Sequence, residues 1–397
     1  MKSLQEFQQK EKELLMPTYA RYPLAIERGD GYFLYDFEGK RYYDFLAGIA
    51  VCILGHNHPA INQTLARQSQ KLIHVSNLFF QEEQLKLAEK LQKYSGQRKI
   101  FFCNSGAEAN EGAIKLVRRY FQRIKKEERY EIITFSNSFH GRTLATLTAT
   151  GQDKVKDGFA PLPAGFKTIP FNEVQALEEH CTSKTAAIML EVIQGEGGVN
   201  PLSPEFALQI KEICKQKDLL LIIDEVQTGI GRTGKFWAHE HFALEPDIIT
   251  TAKGLGGGLP IGAVLAKEEV AQAFTPGSHG TTFGGNALAC AVSTTVLEVL
   301  ERENLVENTQ KLGDYFYIKG ESLLQKYPQK IKNIKGKGLM LGIELQEEGK
   351  KIWQSLLNKG FITNLTQDKI LRLLPPLTID QKAVDAFFLA LEESFKE

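Results

Sequence analysis

Cysteine, net charge and long uncharged runs are all in short supply in this chain of 397 residues, and each shortage removes a class of protein. The five cysteines (Cys52, Cys103, Cys181, Cys214, Cys290) are odd in number, widely spaced and free of any Cys-x-x-Cys pair. Neither a disulfide framework nor a thiolate metal site is expected from them. Cys103 and Cys214 lie among apolar neighbours and read as small core residues in a reducing compartment. Lys+Arg and Asp+Glu both total 48, so the bulk basic excess that a nucleic-acid binder uses to displace counterions is missing. The longest stretch without formal charge, Val270 to Leu297, is interrupted by Pro276-Gly277-Ser278-His279-Gly280-Thr281-Thr282 and cannot form one membrane helix. Charges at Lys2, Glu6, Lys10, Glu11, Lys12 and Glu13 leave no apolar segment for a signal peptide. Repeats of fixed period and low-complexity tracts are absent too. The expectation is a soluble cytoplasmic protein with no nucleic-acid or membrane partner.

What is abundant is apolar side chain: hydrophobic residues make up 43% and charged residues 24%, enough for a large core and against disorder. On a prior of about 150 residues per unit, the length suggests two or three lobes. Short apolar runs alternate with helical patterns between residues 99 and 266. The expected strands are Ile100–Cys103, Ile132–Phe135, Ala186–Leu190, Leu219–Ile223, Ile248–Thr251 and Ala263–Ala266. Between two of them Ser203–Gln216 reads as an amphipathic helix, with Pro204 in its first turn and Phe206, Ile210, Ile213 and Cys214 on one face. Strands buried on both faces and separated by helices predict an α/β fold with a mostly parallel central sheet, whose ligands gather at the carboxyl ends of strands. Tyr32–Tyr35 and Arg41–Phe45 flank a turn signature and predict a hairpin, and residues 301–397 mix helices with short strands (Gly342–Leu345, Ile370–Leu374). The simplest division is a large domain over 61–300, with a smaller α+β lobe built from both chain ends, 1–60 and 301–397.

Three strand ends carry candidate chemistry. Lys99–Asn110 runs from strand through a turn into a helix, and Ser105 to Glu108 has the spacing of a capping box. That segment is either only a well-capped helix or a place where Gly106 and Ala107 present free N–H groups to a phosphate. Asp224 ends the apolar strand Leu219–Ile223, where a carboxylate is costly without a partner; a salt-bridged structural Asp is the plain alternative. The Gly229–Lys235 segment fits both Gly-x-G-x-x-Gly and Gly-x-x-x-x-Gly-Lys. A P-loop needs Ser or Thr after the lysine and finds Phe236, whereas a dinucleotide site needs a helix that Phe236–His239 does not start. Lys253 follows an apolar strand and precedes a glycine-rich loop, so burial and nearby cations would lower its pKa and make its amine a nucleophile for carbonyl carbon; a snorkelling surface lysine is the alternative. An anion cradle, a buried acid and a desolvated lysine together suit pyridoxal 5′-phosphate. His56 with His58, and His239-Glu240-His241, lack the spacing of metal ligands and read as turn or surface features; no metal is expected.

At these residues the sequence resembles the class III pyridoxal-phosphate-dependent aminotransferases of fold type I, over nearly the whole chain. The resemblance is carried by Phe45–Val51, Leu54–Pro59, Ser76–Phe80, Asn104–Glu111, Phe139–Thr143 and His279–Asn286 in the family's order. It implies that Lys253 is the Schiff-base lysine and proton carrier. Asp224 would pair with the ring nitrogen, Val226 and Phe139 would sandwich the ring, and Gln227 would approach the phenolic oxygen. Ser105, Gly106, Ala107 and Glu225 would complete the cofactor site, with Thr282 reaching the phosphate from the partner of a homodimer. Arg142, Thr281 and Arg372 would contact substrate, Arg372 taking the α-carboxylate of glutamate or 2-oxoglutarate. Glu196 would neutralise Arg372 when a substrate with one carboxylate is bound. The chain departs from the family pattern at Cys52, Val192 and Thr281, and has Ile49 where ornithine-using members have tyrosine. The implied reaction moves the δ-amino group of N2-acetyl-L-ornithine to 2-oxoglutarate, in arginine synthesis. Succinylornithine, ornithine, 4-aminobutyrate or a lysine-pathway amine are donors within the same chemistry. A P-loop NTPase or a non-catalytic cofactor-binding regulator are the readings from other classes.

Overall fold

Seven strands form the central sheet: β1 (Lys99–Cys103), β2 (Glu131–Phe135), β3 (Phe166–Ile169), β4 (Thr185–Leu190), β5 (Leu220–Asp224), β6 (Ile248–Thr251) and β7 (Gly262–Ala266). The structure is a computed structural model that describes residues 3–397; Met1 and Lys2, whose charge entered the signal-peptide argument and whose positions open the 1–60 segment, lie outside the described residues. The spatial order is β1-β7-β6-β5-β4-β2-β3. Only β7 runs against the rest, pairing antiparallel with both β6 and β1. The sheet is therefore mostly parallel, and six strands deliver their carboxyl ends to one edge.

Alternation along the strands sorts side chains to two helical layers. Ile222 of β5 and Val264 of β7 face helix α1 (Gly106–Arg119), where Ala109, Ala113, Leu116 and Val117 form the buried stripe. Leu221 and Ile223 face the other way, against Phe206, Ile210 and Ile213 of α2 (Pro204–Lys217). Both helices begin on a side-chain cap: Ser105 Oγ accepts from Glu108 N at 3.2 Å, and Ser203 Oγ from Phe206 N at 3.1 Å. The Glu108 side chain departs from the expected capping box. It reaches one residue further back and accepts from Asn104 N at 2.6 Å.

The two chain ends meet. Strands Ile26–Asp30, Phe33–Asp36 and Arg41–Asp44 form a meander, and Phe361–Ile362 joins it in parallel with Phe361 opposite Tyr43. A second antiparallel sheet orders Ile331–Lys337, Met340–Leu345, Ile370–Leu373 and Asn364–Thr366. Phe45, Leu255, Leu297, Phe316, Leu371 and Phe387 belong to one continuous core that ties these ends to helices α3 (Ala287–Arg302) and α4 (Leu305–Lys326). Right after the hairpin, Ala47, Gly48, Ile49 and Ala50 all have positive φ (48°, 65°, 66° and 62°), one full turn wound in the left-handed sense. Five strands of these three sheets that the sequence pattern does not announce, Ile26–Asp30, Phe166–Ile169, Ile331–Lys337, Phe361–Ile362 and Asn364–Thr366, each lie at a sheet edge.

Among the described residues, no helix is long and apolar enough to cross a membrane, and the five cysteines are all free.

Candidate active site

The strand ends converge on a cavity of about 440 Å³, within the range of small-molecule sites. Asn104 to Ala107 follow β1, Phe139 to Arg142 follow β2, Glu191 and Glu196 follow β4, Asp224 ends β5, and Ala252 and Lys253 follow β6. The reversal of β7 brings its first residues to the same edge, so Gly258 to Ile261 close the ring.

Asp224, 3% exposed, is held on three sides. Its Oδ2 accepts from Asn110 Nδ2 at 2.7 Å and from His140 Nδ1 at 2.8 Å, and its Oδ1 from Val226 N at 3.1 Å. A carboxylate only accepts, so His140 Nδ1 carries a proton. Asn110 is itself fixed, accepting from Thr250 Oγ1 at 2.7 Å and donating to the His140 carbonyl at 2.8 Å. Position and orientation of the carboxylate are set by Asn110 of α1, His140 of the β2 loop and the Val226 N–H of the turn after β5.

Lys253 lines the same cavity and has φ of 42°, in the region that side chains with a Cβ avoid. Such backbone costs of order 1–3 kcal/mol and persists where the surroundings over-determine it. Burial lowers the Lys253 pKa; Arg372 pushes the same way, while Glu196, Asp224 and Glu191 oppose. The consequence is a larger share of uncharged amine, the nucleophilic and basic form.

At the start of α1 the first N–H groups have no intrahelical acceptor, and Ser105 spends its hydroxyl on Glu108 N. Gly106 is required sterically: a Cβ there would stand 2.6 Å from Val226 Cγ1, filling the approach between helix start and cavity wall. Phe139 and Val226 both line the cavity. Arg142 is exposed at the rim, its guanidinium 5.5 Å from the Phe139 ring centre. Arg372 is fully buried and donates to Glu196 Oε1 at 2.6 Å, with Gln227 Oε1 at 3.5 Å. Burial alone would raise the Glu196 pKa, but the Arg372 charge and hydrogen bond, aided by Lys253 and Gln227, hold it below the usual value.

Several expected residues fall elsewhere. Glu225 is a correction: it does not face the cavity. Successive side chains at a strand end point to opposite sides, and Glu225 accepts from Thr228 Oγ1 at 2.5 Å, His239 N at 2.8 Å and His239 Nδ1 at 2.9 Å. His239 is therefore buried against Glu225 and is not a surface feature, and Ala238–Phe242 form a short 3-10 turn. Thr281 stays outside the cavity, its Oγ1 accepting from Asn104 Nδ2 at 3.1 Å, and Thr282 is exposed on the outer surface of the chain. Ile49 is 41% exposed and off the cavity wall. No group of three or more metal-ligating side chains occurs among the described residues. Gly229–Gly234 are buried and lead into the 3-10 turn, with no helix for a phosphate to cap.

The sequence reading missed Asn110, His140 and Glu191. Glu191 accepts from Phe139 N at 2.9 Å and Gly195 N at 3.2 Å, and burial with the nearby Asp224 pushes its pKa up to about 7 against the opposing His140 and backbone N–H groups. Its place directly after a fully apolar strand, like that of Asp224, was the available signal.

The family model described as "Aminotransferase class-III" matches residues 15–395. The chain is 49% identical to the acetylornithine aminotransferase of Methanocaldococcus jannaschii over 387 residues, 98% of this chain and 97% of the relative. Among solved structures, the acetylornithine aminotransferase of Elizabethkingia anophelis superposes with a TM-score of 0.90 at 36% identity, covering 99% of each chain. An ornithine aminotransferase from Toxoplasma gondii, described with partial occupancy of PLP at its active site, gives a TM-score of 0.95 at 32% identity, covering 100% of this chain and 94% of that one.

Proposed function

This chain belongs to the class-III aminotransferases, and we propose that it transfers the δ-amino group of N2-acetyl-L-ornithine to 2-oxoglutarate, giving N-acetyl-L-glutamate 5-semialdehyde and L-glutamate. The observation that carries this is the pairing of a desolvated Lys253 with an arginine, Arg372, that is buried and masked by a carboxylate 2.6 Å away. Pyridoxal 5′-phosphate, when bound, supplies the carbonyl that takes up the amino group and a ring that draws off the electrons of the broken C–H bond. The residues present fit that group. The α1 start at Gly106 and Ala107, with Ser105, would bind its phosphate; Phe139 and Val226 would hold the ring faces, and Gln227 would approach the phenolic oxygen.

Asp224 would keep a proton on the ring nitrogen, which is why its own position is tied from three sides. The Lys253 amine would bond the cofactor carbonyl at rest, and once freed would carry the proton lost from the substrate carbon. Arg142 would orient the carboxylate of the amino donor. Glu196 would leave Arg372 only when a second carboxylate arrives, since a guanidinium fork matches that group and an uncompensated buried cation is costly. One pocket could then serve a donor with a single carboxylate and an acceptor with two.

We further infer a homodimer with shared sites, acting in the cytoplasm within arginine synthesis, with 1–60 and 301–397 as one small lobe beside the 61–300 domain. Support for the dimer is an apolar surface formed by Ile73 (53% exposed), Leu78 (88%), Phe79 (65%), Phe80 (103%) and Phe283 (61%). Isolated chains rarely leave so much large apolar side chain in water. Asn77 in that segment donates to the carbonyl of Gly284 at 3.0 Å, joining it to the loop that holds Thr281 and Thr282. Thr282, exposed on its own chain, would thus be delivered to the partner's phosphate site. The five free thiols fit a reducing compartment.

The test is absorbance of the purified protein before and after borohydride, with and without Lys253→Ala. The wild type should show a near-visible band that borohydride bleaches and that N2-acetylornithine discharges far faster than free ornithine. The variant should lose the band and at least roughly 10³-fold in amine transfer. A band that survives Lys253→Ala unchanged, or equal rates with both amines, would overturn the reading of the lysine or of the donor respectively.

A further inference from the structure

The glycine-rich Gly229–Lys235 turn, which does not line the cavity, carries Arg232, with Arg372 one of two arginines among the largest fully buried side chains of the described residues. Its NH1 donates to the carbonyl of Leu339 at 3.1 Å and to that of Pro375 at 2.5 Å. Leu339 N donates back to the Arg232 carbonyl at 3.1 Å. Leu339 precedes strand Met340–Leu345, and Pro375 follows Ile370–Leu373, the neighbouring strand in which Arg372 lies opposite Gly342. One guanidinium nitrogen therefore joins the two strand ends that frame Arg372.

The turn that bears Arg232 is itself anchored. Glu225 holds its beginning and end through Thr228 and His239, and His241 Nε2 sits 3.0 Å from the Thr233 carbonyl. Across from it, Gly338 has φ of 55°, and a Cβ there would stand 2.4 Å from the Thr233 carbonyl carbon. The segment after Arg372 is tacked down further by Leu374 N to the Phe45 carbonyl and Leu377 N to the Ile53 carbonyl, both 2.7 Å.

A lone buried cation is an expensive way to gain stability. Arg232 Nε and NH2 have no hydrogen-bond partner among the described residues, and burial depresses its pKa to about 9 despite the field of Asp44. A methionine of similar volume would fill the space without that cost. What only the guanidinium supplies is a fixed link from the Gln227 end of the β5 loop to the strand that presents Arg372.

We propose that Arg232 is a positioning residue that sets Arg372 at the height where it meets the α-carboxylate of 2-oxoglutarate. The proposal rests on the reading of Arg372 as that carboxylate's clamp. Arg232 touches neither substrate nor cofactor; it acts through the backbone at Leu339 and Pro375. A general stabilising role would affect both half-reactions alike, whereas a positioning role affects the half-reaction that uses Arg372.

The experiment compares wild type, Arg232→Met, Arg232→Lys and Arg372→Ala as holoenzymes, following each half-reaction by cofactor absorbance and the binding of unreactive glutarate by calorimetry. Arg232→Met should raise the KM for 2-oxoglutarate and the Kd for glutarate about tenfold, leave the N2-acetylornithine half-reaction within about twofold, and Arg232→Lys should recover part of the loss. Equal declines in both half-reactions, or no change in either, would overturn the proposal. Should Arg232→Met not fold, Arg232→Lys decides alone: an unchanged KM for 2-oxoglutarate rejects the positioning role. If Arg372→Ala leaves that KM unaltered, the clamp reading falls first and this proposal with it.

Discussion

The floor and the rim of the cavity are built on different physical terms. On the floor, Asp224 receives three hydrogen bonds from three separate elements, and the groups that donate them are fixed in turn by Thr250 and the main chain. Nothing there can move without leaving a buried polar atom unpaired. On the opposite wall, Glu196 is 31% exposed and rests on a single buried guanidinium, that of Arg372, 1% exposed, so the carboxylate is tied from fewer sides than Asp224. Arg142, at the rim, is exposed. On the proposed roles, the difference separates a group whose work would be the same for every substrate from groups that would choose among substrates.

The comparison breaks first at the floor. Asp224→Asn keeps the shape but removes the charge, and single-turnover amine transfer should fall roughly 10²- to 10³-fold for both half-reactions. A loss confined to one half-reaction would mean the floor is not substrate-independent. At the proposed dimer contact, Phe80→Asp should weaken self-association by at least about tenfold in sedimentation, since a large apolar side chain exposed on the single chain is replaced by a charge. Activity should then rise with protein concentration. A variant that remains fully dimeric would remove the apolar patch as the contact. The smallest change is expected from Glu196→Gln, which leaves Arg372 uncompensated: the KM for N2-acetylornithine should rise about fivefold while that for 2-oxoglutarate stays level or falls. Parallel movement of both constants would show that Glu196 is no gate.

The strand ends were legible in the sequence because burial on both faces writes a continuous apolar run, and a charged residue at its end stands out: Asp224 and Lys253 are the clearest cases. Among the strands that escaped, Ile26–Asp30, Phe166–Ile169, Ile331–Lys337, Phe361–Ile362 and Asn364–Thr366 are edges. An edge strand is half-solvated and carries lysines, arginines or acids in alternation, so its pattern dissolves into that of a loop. Asn110 and His140 could not be read because their partner, Asp224, lies 114 and 84 positions away, and only the folded sheet brings them together. Glu225 was legible in principle. Alternation at the strand end assigns it to the face opposite Asp224, and the resemblance to a family outweighed that local rule. Arg232 was hidden by its own motif, whose glycines suggested phosphate and whose side chain serves the backbone.

The reversed strand β7 pairs Gly262 with Cys103, and the hairpin strand Arg41–Asp44 waits for Phe361. During synthesis from the N-terminus, β1 and the hairpin leave the ribosome long before their neighbours exist. The edge of β1 stays unpaired until residue 262 and that of the hairpin until residue 361, and each closure ties a long loop. The pocket therefore cannot assemble piecemeal as the chain emerges; it comes together late, and the nascent polypeptide is exposed to aggregation for longer than a chain whose neighbours in space are neighbours in sequence.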